Sequence, residues 1–192
     1  MRHWLFALNA LVAAYVGGAF LAPVLAASGW NDAAQPIYGF YHLLCHQWAF
    51  RSFFLFGVQP VYGQDALTAL GADPFGFIGN ASVGWKMAFC ERDLAIYVGL
   101  LMVGLYFAGR RTMRPLGFVA YGLLALPMAI DGFTQLFGWR ESTWELRVVT
   151  GLLFGLASAW LVYPRFDEAI GVAPIRKSYA PENTCVAVSP RG

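Results

Sequence analysis

The sequence predicts an all-α fold, a polytopic bundle of transmembrane helices with four spans plus one interfacial or re-entrant helix. Of its 192 residues, 58% are hydrophobic and only 12% are charged, whereas soluble domains carry about 25% charged residues. Several long segments are also poor in charge, and each approaches the ~20 apolar residues that a helix needs to cross a bilayer. A membrane-embedded chain therefore explains the composition better than a soluble domain.

The first span lies between His3 and Asp32, where the chain carries no charged residue. This segment ends in Ala-Ala-Ser-Gly, which raises the alternative of a cleaved signal peptide. Its apolar run is long for a signal peptide, in which this region has about 7–15 residues. We therefore expect the segment to be retained as a transmembrane helix.

A second helix is predicted to begin near Pro36 and to run through Tyr41, Cys45 and Phe50, because proline is favoured in the first helical turn. It is aromatic, but it also contains two histidines and an arginine. We expect it to lie in the outer leaflet and not to form a fifth crossing. The glycines and prolines of residues 57–85 exclude a regular spanning helix and predict an extracytoplasmic loop.

The remaining spans are predicted from runs that are slightly too short to cross alone. The uncharged run 94–109 must begin earlier, which draws Cys90, Arg92 and Asp93 to the membrane boundary. The run that ends at Ile130 must likewise extend through Asp131 and Gln135.

The last span is predicted from Thr143 to Tyr163, because Ser142 and Glu145 have the spacing of a capping box. These elements give a transmembrane domain at 1–163 and a flexible cytoplasmic tail at 164–192.

Arginine placement predicts the orientation in the cytoplasmic (inner) membrane. Arg110, Arg111 and Arg114 occupy one short loop, and positive charge in short loops marks the cytoplasmic side. The C-terminus is then cytoplasmic and the polar residues of the other helix ends are extracytoplasmic. The expected partners are the lipid bilayer and, as an alternative interpretation, other membrane-protein subunits. The net charge of +2 is too small to predict nucleic-acid binding.

A metal site is one interpretation of the polar residues on that side. His42, Cys45 and His46 have the spacing i, i+3 and i+4, so on a helix they would share a face, and imidazole and thiolate are ligands for zinc or copper. Cys90 and Asp93 could complete the set. The alternatives are a disulfide between Cys45 and Cys90, which an oxidising compartment would preserve, and inert thiols with histidines bonded to carbonyl groups. Both chemistries require Cys45 and Cys90 to be adjacent.

A charge network is the second candidate feature. A charge placed in the membrane costs about 2.5–3.5 kcal/mol and usually has a partner. The candidate partners of Asp131 are Arg92, Arg140 and Arg147, and we expect an arginine of another helix, Arg92 or Arg147. Its role is either a salt bridge between helices or a proton acceptor or metal ligand. The full predicted network consists of Arg51, Arg92, Asp131, Gln135, Arg140, Glu141 and Arg147.

A set of motifs gives the chain a family resemblance. They are Tyr41-His-Leu-Leu-Cys-His-Gln47, Arg51-Ser-Phe-Phe54, Cys90-x-Arg92, Asp131-Gly-Phe-Thr-Gln135, Arg140-Glu-Ser-Thr143 and Leu146-Arg-x-x-Thr-Gly151. Over roughly residues 38 to 160, this set resembles bacterial and archaeal membrane proteins grouped as domain of unknown function 2085. The resemblance implies no established activity. It also implies a second cysteine where this chain has Asp93, and a shorter separation of the two cysteine motifs, which makes the glycine-rich loop an insertion.

Three functions are compatible with these observations. The first is a small membrane protein whose outward-facing His/Cys/Asp site binds a transition metal or does thiol chemistry. The second is an accessory structural subunit of a larger membrane complex. The third is a metal-dependent membrane hydrolase, in which bound metal lowers the pKa of water and Asp131 or Glu141 transfers the proton.

Overall fold

The computed structural model describes residues 3–110 and 113–171. Within them, four helices are long and apolar enough to cross a membrane. They are α1 (His3–Ala27), α4 (Glu91–Gly109), α5 (Phe118–Leu136) and α6 (Trp144–Ala169). The predicted helical bundle with four spans is therefore confirmed.

The long helices contact one another mainly in the order α1, α4, α6 and α5, and Trp4 near the start of α1 also contacts α6. Helix α4 packs against both α1 and α6, and its contact with α6 is the most extensive in the molecule. Gly151 and Gly155 of α6 make this approach possible, because a methyl group at Gly155 would overlap the carbonyl oxygen of Ile96. Small residues allow membrane helices to pack closely in this way.

Helix α5 lies at the end of this order and contacts α6. Asp131 is its one buried residue, while large apolar side chains such as Leu123, Leu126 and Ile130 are exposed. An apolar exposed face is what contact with lipid requires. Helix α5 therefore turns a single carboxylate inward and its apolar residues outward.

Helix α2 (Asn31–His42) has 12 residues, about 18 Å at 1.5 Å per residue, so it is too short to cross a hydrocarbon core of about 30 Å. It packs along α1, where the Tyr41 hydroxyl donates to the carbonyl of Tyr15. The prediction that this helix continues to Phe50 is wrong. Gln47 adopts a left-handed backbone conformation with φ 52°, which a continuous helix excludes, and a 3-10 turn follows at Ala49–Arg51.

The glycine-rich segment forms a small folded layer and not a wholly irregular loop. It contains β1 (Phe54–Leu55), α3 (Gln64–Ala69), β2 (Gly79–Asn80) and β3 (Gly84–Lys86), and the antiparallel sheet has the order β1-β3-β2. Gly84 has φ +91°, and a methyl group there would lie 2.5 Å from the carbonyl oxygen of Leu55. Such glycines permit close strand pairing. The number of glycines in a segment does not show whether they form a loop or allow strands to pair.

The two ends of α6 differ from prediction. Thr143 is its N-cap and accepts a hydrogen bond from the Leu146 N–H, so the predicted capping role of Ser142 is wrong. Ser142 donates instead to Asp131 Oδ2 at 2.9 Å. At the other end, α6 continues past Tyr163 to Ala169. The first residues that were assigned to the flexible tail are therefore helical. Residues 172–192 of the predicted tail lie outside the described residues.

The molecule has two distinct ends. At the first, Trp4 Nε1 donates to Asp167 Oδ1 at 3.1 Å, and Trp160 Nε1 donates to the carbonyl of Arg114 at 2.9 Å. We call this the Arg114 end; Arg111 of the same loop lies outside the described residues. The opposite end, called the sheet end, contains α2, the sheet and the first turns of α4 and α6. All of the predicted site residues lie at the sheet end.

Candidate functional site

Cys45, Cys90 and Asp93 form a compact group at the sheet end, called here the thiol–carboxylate group. Their potential ligand atoms all lie within 4.8 Å of one another. Cys45 follows α2, whose C-terminal carbonyl at Tyr41 accepts the Cys45 N–H at 2.9 Å. Cys90 is the N-cap of α4, and its sulfur accepts the Asp93 N–H at 3.4 Å. The predicted meeting of Cys45 and Cys90 is therefore confirmed.

The two cysteines are free thiols, and each is half-buried. The interaction between the two sulfurs lowers the pKa of Cys45 and raises the pKa of Cys90 well above its ordinary value. The two shifts therefore favour ionisation of Cys45 over ionisation of Cys90. Thiolate is the form in which cysteine binds metal or attacks a disulfide.

The spacing predicted that His42, Cys45 and His46 share a helix face. This prediction is wrong. Helix α2 ends at His42, which is exposed, so the positions i+3 and i+4 fall beyond the helix. His46 is also exposed, and its ring lies 5.5 Å from that of Trp48. The structure therefore brings three of the five predicted ligands together and leaves the two histidines outside that group.

Gln47 and Lys86 fix the Cys45 segment, and neither was a candidate from sequence. Lys86 is only 3% exposed, and its Nζ donates to the Gln47 carbonyl at 2.5 Å. The Gln47 side chain donates to the Tyr38 carbonyl at 2.9 Å, and the Tyr38 hydroxyl donates to the Lys86 carbonyl at 2.5 Å. Burial lowers the pKa of Lys86 to about 8. A lysine at the end of the short strand β3 gave no sequence signal for this role.

Asp131 is paired as predicted. It is 1% exposed and forms salt bridges with Arg92 of α4 and with Arg140, the latter at 2.5 Å. The Ser142 hydroxyl donates to the same carboxylate. With two guanidinium groups and a hydroxyl around it, this carboxylate links α4, α5 and the segment that precedes α6, which is the structural salt bridge considered from sequence.

Arg147 is the centre of a second set of ion pairs. Its two terminal nitrogens donate to Glu91 Oε2 at 2.9 Å and to Glu141 Oε1 at 2.5 Å. Glu141 also accepts from Arg51 Nε at 3.0 Å and Nη2 at 3.1 Å. Glu91 is fully buried and was not predicted, although a carboxylate in the first turn of a membrane helix requires a partner just as Asp131 does.

Gln135 joins the two sets of ion pairs into one network. Its Oε1 accepts from Arg92 at 3.3 Å, and its Nε2 donates to Glu141 Oε1 at 2.6 Å. The network therefore connects the first turns of α4 and α6 with the last turn of α5. All seven residues predicted for it are members, together with Glu91 and Ser142.

A pocket of about 470 Å³ opens between the thiol–carboxylate group and the charge network. Cys45, Cys90 and Asp93 line it, and so do Arg51, Arg92, Arg147, His46 and Gln135. This volume lies within the range of about 300–1,000 Å³ that is typical of small-molecule sites. The pocket can thus hold more than a metal ion.

Comparison with known proteins agrees with this architecture. The chain is 33% identical over 177 residues to the uncharacterized protein MJ1492 of Methanocaldococcus jannaschii, an alignment that covers 88% of this chain and 96% of that protein. It is 40% identical over 83 residues to an uncharacterized protein of Methanothermobacter thermautotrophicus, covering 41% of this chain and 71% of that one. A family described as "Predicted membrane protein (DUF2085)" matches residues 81–161.

The chain belongs to the DUF2085 family. The resemblance predicted from the motifs is thereby confirmed, and the protein is a membrane protein. The DUF2085 match includes Cys90, Asp93, Asp131 and Arg147, whereas Cys45 precedes it. No solved structure matches the chain.

Proposed function

We propose that the pocket binds a transition-metal ion, zinc or copper, through Cys45, Cys90 and Asp93. The observation that carries this proposal is the convergence of the three ligand atoms within 4.8 Å of one another. Two sulfurs bound to one tetrahedral zinc ion lie roughly 3.8 Å apart, given Zn–S bonds of about 2.3 Å. The ligands therefore need only small side-chain movements to close on an ion.

The donor types fit this assignment. Two sulfurs and a carboxylate oxygen suit zinc, and thiolates also suit copper(I). Three protein ligands leave one position open towards the pocket, for water, for a substrate or for His46, which lines the same pocket. His42 remains a candidate ligand only if the segment after α2 rearranges.

The proposed site faces the extracytoplasmic side of the cytoplasmic membrane, and the C-terminus is cytoplasmic. The support for this orientation is the loop between α4 and α5, which contains Arg110, Arg111 and Arg114 and so favours the cytoplasmic side. The thiol–carboxylate group lies at the opposite end of α4.

Metal content of the purified protein tests the proposal. We expect one zinc or copper ion per chain by elemental mass spectrometry, and we expect its loss in Cys45→Ser and Cys90→Ser. Cys185→Ser removes the third cysteine and is the matched control, which should retain the ion. Protein that contains no metal after expression and reconstitution with zinc or copper would refute the proposal and favour an accessory structural subunit.

Dithiol–disulfide exchange is the second candidate, favoured by the hydrogen bond between Cys90 and Cys45 and by the opposite shifts of their pKa values. In such an exchange, Cys45 attacks a disulfide substrate and Cys90 resolves the mixed disulfide. The substrate leaves as two thiols, and Cys45 and Cys90 become oxidised. The test is intact mass spectrometry after alkylation, with and without prior reduction. Reduction should expose two additional thiols to alkylation, and the protein should contain no bound metal.

A metal-dependent hydrolase requires the open coordination position to hold water. Asp131 does not suit the proton-transfer role, because two arginines and Ser142 surround its carboxylate. Glu141 is held by Arg51 and Arg147. Hydrolysis is therefore less well supported than metal binding alone. It would first require that the purified protein contains metal and that Cys45 and Cys90 stay reduced.

A further inference from the structure

We infer that the same pocket binds a phosphate group through Arg51, Arg92 and Arg147, opposite the thiol–carboxylate group. This inference goes beyond the proposed metal site and does not depend on an ion being bound. Its basis is the charge that the pocket wall presents. Three guanidinium groups line the pocket, whereas Asp93 is the one acidic side chain among its lining residues.

The carboxylates that pair with these arginines lie outside the pocket lining. Glu91, Asp131 and Glu141 contact the guanidinium groups but do not line the cavity. They hold the arginines in fixed positions, so a ligand does not have to order flexible side chains. Preorganisation of this kind reduces the entropic cost of binding.

The arginines also have unused hydrogen-bond donors. Each guanidinium has five N–H groups. Arg92 Nη2 donates hydrogen bonds to Asp131 and Gln135. Arg92 Nη1 makes no hydrogen bond to the described residues. Arg51 directs Nε and Nη2 to Glu141 and leaves Nη1 without a bond to the described residues. These donors are available to a ligand in the pocket.

A phosphate group matches this arrangement better than a carboxylate. It carries up to two negative charges and offers three acceptor oxygens when it is part of an ester, so one phosphate can engage three guanidinium groups. Arginine is well suited to this task because its planar donors bind phosphate in pairs. The pocket also contains Leu44 and Leu136, so the phosphate could belong to a lipid headgroup at the membrane boundary or to a free phosphate compound.

Titration calorimetry with inorganic phosphate, in phosphate-free detergent buffer, tests this inference. Arg51→Gln is the test variant, because Arg51 is partly exposed and belongs to no membrane span. Arg165→Gln removes the same charge at the Arg114 end and is the control. We expect Arg51→Gln to weaken phosphate binding at least tenfold and Arg165→Gln to change it less than twofold. Thermal melts of both variants verify that they fold.

Two further arms identify the source and separate this site from the metal site. Short-chain phosphatidic acid that binds at least tenfold more tightly than inorganic phosphate indicates a lipid ligand, and equal or weaker binding indicates a free phosphate. Cys45→Ser should retain phosphate binding even if metal is lost. Absence of binding to both probes, or equal weakening by Arg51→Gln and Arg165→Gln, would overturn the inference and leave the metal result unaffected.

Discussion

Asp131 connects α5 with α4 and with the segment before α6 at the sheet end. Its carboxylate is almost fully buried and lies between Arg92 and Arg140, with Ser142 as a third donor. Buried charge pairs of this kind contribute little net stability, but removal of one partner leaves an uncompensated charge that is costly. The arrangement therefore makes a single carboxylate necessary for the packing of α5 against its neighbours.

Asp131→Asn should destabilise the protein by about 3 kcal/mol, the low end for breaking a buried pair, because the amide keeps the shape but leaves the partly buried Arg92 and the exposed Arg140 without their anion. Thermal unfolding in detergent measures the effect. Asp73→Asn is the control, since Asp73 is an exposed residue that accepts only backbone N–H groups of its own turn. Equal unfolding midpoints for the two variants would show that the network does not stabilise the fold.

Lys86 presents the opposite case, a buried cation held by a carbonyl. Burial lowers its pKa from 10.5 to about 8, so below pH 8 the folded state carries a buried charge that the unfolded state exposes to water. As pH rises from 8 towards 10.5, the folded protein loses this proton first, and stability rises with pH. The unfavourable contribution is thus largest below pH 8.

Lys86→Met should remove this pH dependence. Since one pKa unit corresponds to about 1.4 kcal/mol, the stability of the wild type relative to Lys86→Met should increase by about 1–3 kcal/mol between pH 7.5 and pH 10. Paired thermal melts across this range provide the measurement, and the variant corrects for all other titrating groups. A difference that stays constant with pH would mean that the pKa of Lys86 is the same in the folded and unfolded protein.

For the buried charges, the sequence predicted the type of partner residue better than which residue it is. The cost of a membrane carboxylate was enough to predict an arginine beside Asp131, and Arg92 was one of two choices. It did not predict that Arg147 would bind Glu91, because that pair depends on the relative rotation of α4 and α6. The same holds for Lys86 and Gln47, whose contact requires the sheet to fold over the Cys45 segment.

At the scale of elements, run lengths predicted the spans well. The shortage of apolar residues before Gly109 placed Cys90 at the start of α4, where it is the N-cap, and the same argument extended α5 past Asp131. The errors occurred where one backbone angle or one hydroxyl decides the boundary. Helix α2 ends at His42, before Cys45, and Gln47 is left-handed. Thr143 caps α6 in place of Ser142.

The α4–α6 contact depends on glycine. Gly155→Ala would force a methyl group against the carbonyl oxygen of Ile96, and such overpacking costs about 1–3 kcal/mol. Gly122→Ala in α5 is the matched control, because nothing lies within 4 Å of its added methyl group, and alanine is intrinsically the better helix former. We expect the first variant to melt at lower temperature and the second to melt at the wild-type temperature or above. The reverse order would exclude close α4–α6 packing.

The whole molecule divides its charge unevenly between two ends. The short connection between α4 and α5 contains Arg110, Arg111 and Arg114, whereas the short connection between α5 and α6 contains Arg140 alone as a basic residue. Arginine and lysine in short connections favour the cytoplasmic side. Arg140 is moreover bound to Asp131. Both observations support a cytoplasmic Arg114 end and an extracytoplasmic sheet end, where the pocket lies.

Single cysteines at the two ends test this orientation. Ser82→Cys lies in the turn between β2 and β3, Gly117→Cys precedes α5, and both positions are exposed. In a background with the three native cysteines replaced by serine, a membrane-impermeant maleimide should label Ser82→Cys in intact cells and leave Gly117→Cys unlabelled. Permeabilised cells, in which both positions should react, provide the control for accessibility. Labelling of Gly117→Cys alone would invert the proposed orientation, and labelling of both in intact cells would mean that α4, the span between the two positions, does not cross the membrane.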